Sequence, residues 1–258
     1  MHWRELIAGA LTGLIVGLTG AGGGALMTPI LLLIFGMAPA TAVGTDLWFA
    51  AITKVAAVRT HHGHGLIDWQ VVKRLWAGSL PASALMLMLM EFGPIHTLNL
   101  HSMNQAISAA VMLTSVGLLF QNQLHRLGSQ FRTTDPDRFK AMQKPLTVAA
   151  GACLGVLVTL TSVGAGAIGA VLLVHLYPLR LTPPRLVATD IAHAIPLAMF
   201  AGLGHLMIGN VNFGLLGYLL CGSIPGVMVG AALSARLPHG VVRVALAAVL
   251  MIIGIKLW

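Results

Sequence analysis

Charge is what this sequence has least of. Only 9% of its 258 residues are Asp, Glu, Lys or Arg, against about 25% in an ordinary soluble domain. That scarcity excludes a water-facing surface over most of the chain. With 57% hydrophobic residues and a mean hydropathy of +0.88, the chain reads as an all-α polytopic membrane protein. Cysteine is nearly missing as well. Cys153 and Cys221 stand alone in apolar segments without metal-type spacing and read as small packing residues. No cleavage-type site precedes the first apolar run, so that run is expected as a retained span. The run G-A-G-G-G-A (20–25) loosely fits a dinucleotide fingerprint, but no strand precedes it.

The charge that is present is unbalanced, at +8. In a soluble chain such a balance would suggest nucleic acid. In a membrane protein it is met by basic cytoplasmic loops, and no nucleic-acid partner is expected.

The apolar runs divide into ten segments, roughly 5–18, 25–35, 40–58, 71–90, 102–120, 145–160, 167–177, 185–206, 213–233 and 241–257. They fall into two halves that repeat each other. GALTGLIVGLTGAGGG, PATAVGTDL, GHGLIDW and GSLP in the first half are answered by GACLGVLVTLTSVGAG, PPRLVATDI, IGNVNF and GSIP in the second. The offset is 142 at Thr19 and Thr161, and 144 at Asp46 and Asp190. A repeat of this kind in an apolar chain marks a secondary transporter. The expected organisation is a first transmembrane repeat over 1–120, a basic cytoplasmic linker over 121–144 and a second transmembrane repeat over 145–258.

Five segments per half is an odd number and predicts inverted topology. Loop charge gives the same answer. Twelve Lys and Arg lie on the side holding loop 59–74, the central loop, loop 180–185 and loop 236–243, and only Arg4 and Lys256 on the other. This places the central loop in the cytoplasm and both termini outside, in a plasma (inner) membrane protein.

Each repeat is interrupted near its first segment, at Thr19–Gly24 (T-G-A-G-G-G) and Thr161–Gly166 (T-S-V-G-A-G). Glycine is a poor helix interior residue, so both runs are expected to break the helix inside the membrane and restart it. Such a break frees backbone N–H groups and the positive end of a half-helix, which suits an anion. The substrate-binding candidates are therefore Thr19, Gly20, Gly22, Gly23, Gly24, Thr161, Ser162, Gly164 and Gly166, joined by Thr45 and Thr189. Tight helix packing by small residues is the other account of these glycines.

Asp46 and Asp190 occupy equivalent intramembrane positions and are functional candidates by default. Each could cap a helix start, carry a coupling proton or stabilise the contact between repeats. His193, three residues after Asp190, could relay protons or serve as a polar packing residue. Lys54 is expected in the cytoplasmic third of its span, snorkelling toward water. The H-H-G-H cluster at His61, His62 and His64 has no partner cluster and lies near Lys73 and Arg74, so no metal site is expected. No catalytic residue and no cofactor are expected.

These residues resemble the sulfite exporter TauE/SafE family of membrane permeases. The similarity rests on Gly13–Gly24, Pro29, Ala42–Asp46, His61–Trp69 and Gly78–Pro81, and again on Gly155–Gly166, Ala188–Asp190, Gly209–Phe213 and Gly222–Gly226. Departures are Val163 and Ala165 in the second break, Asn212-Phe213 for Asp68-Trp69, and Pro81. The resemblance implies a transporter of sulfur-containing anions such as sulfite, thiosulfate or organosulfonates, not an enzyme. The expected partners are that anion, the bilayer, protons as a candidate coupling ion and a second copy as a candidate dimer. A passive anion channel is the alternative, followed by a His-dependent metal transporter or membrane enzyme.

Overall fold

The computed structural model describes residues 2–19, 25–60, 65–93, 100–134, 136–164, 166–234 and 239–258. Among them are ten α-helices and no strands: α1 Trp3–Thr19, α2 Met27–Leu33, α3 Pro39–Thr60, α4 Trp69–Phe92, α5 Leu100–Thr134, α6 Pro136–Thr161, α7 Ala167–Leu176, α8 Pro183–Met207, α9 Phe213–Ser234 and α10 His239–Leu257. Apolar runs of this length in lipid must satisfy every backbone group internally, which leaves helix as the available conformation. Six helices among the described residues are long and apolar enough to cross a membrane, and large apolar side chains such as Leu85, Met88, Met207 and Ile252 point outward from the bundle. The basic connector differs from expectation. It is helical rather than loop, because beyond lipid its Gln, Leu, Arg and Lys residues are good helix formers.

Helix directions follow from the contacts. Trp48 Nε1 donates to the Gly202 carbonyl at 3.0 Å, while Gly44 lies against Asn210 and His205, so α3 and α8 are antiparallel. Ser108 Oγ donates to Gly254 O at 2.6 Å and Ser115 Oγ to Ala247 O at 2.7 Å, so α5 and α10 are antiparallel too. In each pair the two helices are repeat equivalents. Equivalent helices that run in opposite directions require a pseudo-twofold axis perpendicular to them. This is the inverted repeat.

The remaining pairings obey the same axis. α1 packs along α9 as α6 packs along α4, and α3 meets α9 as α8 meets α4. The α1–α9 seam is built on backbone approach. Gly9, Gly13 and Gly17 rest on Leu219, Ser223 and Val227, while Gly222, Gly226 and Gly230 rest on α1 in return. Gly151 and Gly155 on Leu75 and Ser79, with Gly78 on Val148, rebuild that seam between α6 and α4. Small residues four apart let helix axes come close enough for dispersion to hold them without a hydrophobic drive. Much of the glycine periodicity in the repeat is therefore packing.

The short helices turn back. Gln143 Nε2 donates to Leu176 O at 2.7 Å, and the Thr147 and Tyr177 hydroxyls lie 2.8 Å apart. The end of α7 thus returns beside the early part of α6, making the second break the tip of a helical hairpin. In the first repeat, Thr28 at the start of α2 bonds Asp46, while Leu31 packs in one cluster with Ala42 nearer the α3 start. α2 therefore runs against α3.

Candidate functional site

The two restart points meet in one place. Ala25 and Leu26, just before α2, share a buried cluster with Val163 and Ala167 of the second break, Val43, Leu47 and Ala51 of α3, and Leu197, Ala198 and Ala201 of α8. Both repeats thus contribute a restart point before a short helix, and a long helix, to one buried cluster.

The second break is well defined. Thr161 Oγ1 donates to Leu157 O at 2.6 Å and accepts from Val163 N at 3.1 Å, closing the end of α6. Thr19 makes the equivalent bond to Ile15 O at 2.7 Å. Ser162 then adopts φ 56°, a left-handed conformation rare outside glycine. Gly164 at φ 118° and Gly166 at φ 133° complete the reversal. Their carbonyls accept from Gly169 and Ala170, tying the first turn of α7 to the break. Gly20, Gly22, Gly23 and Gly24 lie outside the described residues, as do Ala165 and His61, His62 and His64.

Thr45 and Thr189 are both fully buried, and their hydroxyls are engaged across the pseudo-twofold axis. Thr45 Oγ1 accepts from Asn212 N and Thr189 Oγ1 from Asp68 N, each at 3.0 Å. Asn212 and Asp68 in turn accept from Leu215 N and Val71 N, capping α9 and α4. Asn for Asp conserves the cap. It drops the bidentate ion pair that Asp68 makes with Arg180 at 2.6 and 2.9 Å, a contact that nothing in the sequence announced.

The carboxylates differ. Asp46 lies inside α3, not at its start, and bonds another helix: Oδ2 accepts from Thr28 N at 3.1 Å and from Thr28 Oγ1 at 2.5 Å. Its Oδ1 has no hydrogen-bond partner among the described residues. Ser162 Oγ lies beside this carboxylate. Asp190 is fully buried and neither oxygen has a hydrogen-bond partner among the described residues. The 142 offset of the break region pairs Thr28 with Ala170, so the second carboxylate lacks the hydroxyl that serves the first. Instead Asp190 Oδ1 faces Gly169, where a Cβ would run into it.

Lys54 does not snorkel. It is 2% exposed, and Asp46, Asp190 and His193 are buried as it is. His193 is buried with Nε2 3.0 Å from Ser79 Oγ, and His205 Nε2 donates to Thr159 O at 2.9 Å.

The described second break, the restart before α2 and buried ionisable groups thus lie inside a bundle of apolar spans. The profile described as "Sulfite exporter TauE/SafE" matches residues 6–257. The chain belongs to that family. Among curated proteins it is 34% identical over 215 residues to the "Probable membrane transporter protein YjnA" of Bacillus subtilis (strain 168), covering 81% of each chain. It is also 35% identical over 77 residues to a "Probable membrane transporter protein" of Haemophilus influenzae, covering 27% of this chain and 29% of that one. No solved structure matches it. As a member of the TauE/SafE family with six apolar helices of spanning length among its described residues, it is a multi-pass membrane transporter.

Proposed function

We propose that this TauE/SafE protein is a secondary transporter of sulfur-containing anions such as sulfite, thiosulfate or organosulfonates, with export as its physiological direction. The anion binds between the two Gly-rich breaks, Thr19–Gly24 and Thr161–Gly166. Alternating access comes from movement of one part of each inverted repeat against the rest. The supporting observation is the convergence of both restart points on one buried centre that also holds Lys54, Asp46 and Asp190. Asp46, Asp190 and His193 are the groups available for proton coupling. The placement is an inner membrane with the central loop cytoplasmic and the termini outside, on the loop-charge argument.

The test is a binding screen of sulfite, thiosulfate, sulfoacetate, sulfate and carboxylates against purified protein. Stabilisation by at least one sulfur anion at micromolar to millimolar concentration is expected. Preference for carboxylates over every sulfur anion would overturn the substrate class. A passive channel is separated by electrophysiology: channel activity gives current, whereas the transporter gives saturation and counterflow.

A further inference from the structure

The two mouths of the bundle are not alike. Where α4 begins, the turn between α7 and α8 lays Arg180 on Asp68. Arg180 Nε donates to Asp68 Oδ2 at 2.6 Å, while Nη2 donates to Asp68 Oδ1 at 2.9 Å and to Gln70 Oε1 at 2.8 Å. The same guanidinium lies 5.8 Å from the centroid of the Tyr177 ring. A second arginine meets that tyrosine, with Arg74 Nη1 donating to its hydroxyl at 3.2 Å. Tyr177 is fully buried and bonded to Thr147, so it is a fixed support for both. This mouth is on the side of the polar connector, because Gln143 of α6 bonds Leu176 next to Tyr177.

The opposite mouth repeats none of these charges. The offset of 142 pairs Tyr177 with Phe35, and loop 36–38 beyond it has no charged residue. The offset of 144 pairs Asp68 with Asn212, Gln70 with Gly214 and Arg74 with Tyr218. Asn212 caps α9 through Leu215 N, as Asp68 caps α4, so the cap itself needs no arginine. The ionic cluster is an addition to one face, beyond what the shared fold requires.

A guanidinium has five N–H donors. Arg180 uses three of them and Arg74 one, and the rest have no acceptor among the described residues. The formal charge of Arg74, Arg180 and Asp68 is +2 − 1 = +1. Two oxygens held by a guanidinium fork are the arrangement that an oxyanion offers as well as a carboxylate does. The Arg180 side chain is 36% exposed and that of Asp68 only 5%, so a solute arriving from water meets the arginine first.

We infer that Arg180 and Arg74 form an anion-capture site at the connector-side mouth, where a sulfur oxyanion takes the place of Asp68 on Arg180. This rests on the anion-transporter reading and adds the place at which the anion is first held. The exchange swaps one hydrogen-bond acceptor for another and makes no covalent bond. The step inward is short, because Asp68 N donates to Thr189 Oγ1 at 3.0 Å, and Thr189 adjoins the buried Asp190. Parting Asp68 from Arg180 also unties the α7–α8 turn from the start of α4. The site lowers the concentration at which the anion loads from this face, while the gradients still set the direction of net flux.

The test compares wild type, Arg180→Gln, Arg74→Gln and Asp68→Asn. Purified proteins are titrated with sulfite, thiosulfate, sulfoacetate and sulfate in thermal-shift assays. Transport is measured in vesicles of both orientations, told apart by protease access to the connector. Arg180→Gln is expected to weaken binding of whichever anion stabilises the wild type by about tenfold or more. It should raise KM by a similar factor for loading from the connector face and leave KM from the other face unchanged. Arg74→Gln should act in the same direction by a smaller factor. Asp68→Asn retains a capping side chain and is expected to bind the anion about two- to fivefold more tightly, as a competing ion pair is released. An ion pair that only holds the fold gives the opposite pattern, with weaker binding when either partner is lost. An unchanged connector-face KM in Arg180→Gln, or weaker binding in Asp68→Asn, would overturn the inference and leave anion transport standing. Binding of no anion by the wild type would overturn the anion-transporter reading and the inference with it.

Discussion

Replacing Gly155 by Ala should destabilise the protein by about 2–3 kcal/mol, although it adds a single methyl group and improves helix propensity. Gly155 sits on the α4 backbone, where a Cβ would be 2.9 Å from Ser79 Cα and 3.0 Å from its carbonyl carbon, with the carbonyl oxygen closer still. Ordinary contacts begin near 3.4 Å, so α4 and α6 must separate by roughly 0.5–1 Å. Such a gap forfeits about a quarter to a half of each dispersion contact along the seam. It also stretches the 2.6 Å hydrogen bond between Ser83 and Thr159. Overpacking costs about 1–3 kcal/mol, and an interhelical bond in a bundle contributes about 0.6 kcal/mol. Gly217 is the control. It lies on α9, where a Cβ would meet nothing within 4 Å, so Gly217→Ala should be neutral or stabilising by up to about 1 kcal/mol. Reversible unfolding in mixed micelles, titrated with SDS, measures both. Equal stability of the two variants would refute the backbone-contact account of the glycine repeat.

Further outcomes follow from individual contacts. Thr28→Val keeps the shape of the side chain but removes the hydroxyl donor to Asp46, and should cost about 1.5–3 kcal/mol in the same unfolding assay. The loss should shrink in an Asp46→Asn background. Arg180→Ala should lower stability by about 1–2 kcal/mol through loss of the bidentate pair with Asp68, and a double-mutant cycle with Asp68→Asn should show coupling between them. Gly164→Val and Gly166→Val force a β-branched residue into φ 118° and 133°, a strain of about 1–3 kcal/mol. Both should insert in membranes yet lose transport, and wild-type rates would remove the second break from the site.

The helices and their pairing in two repeats were legible because apolar runs and glycine spacing are local signals. Their limits agree with the structure to within a few residues, apart from α5 and α6, which continue as helix into the polar connector. The inverted relation was legible in loop charge and reappears as antiparallel α3–α8 and α5–α10 contacts. Tertiary partnership was harder to read. The hairpin reversal at the second break depends on Gln143 meeting Leu176, 33 positions away in sequence. Thr45 and Thr189 read as contacts for an anion, and their hydroxyls turn out to hold backbone N–H groups of the opposite repeat. In each case the deciding atom comes from a distant part of the chain, where spacing along one helix carries no information.

Counterflow of labelled sulfite and thiosulfate into proteoliposomes tests the central claim most directly. Wild-type protein should show saturable counterflow of at least one of these anions, and Gly164→Val, reconstituted at the same density, should show none. Anion movement that never saturates and carries current, or equal counterflow in the variant, would contradict a transporter whose site lies at the glycine breaks.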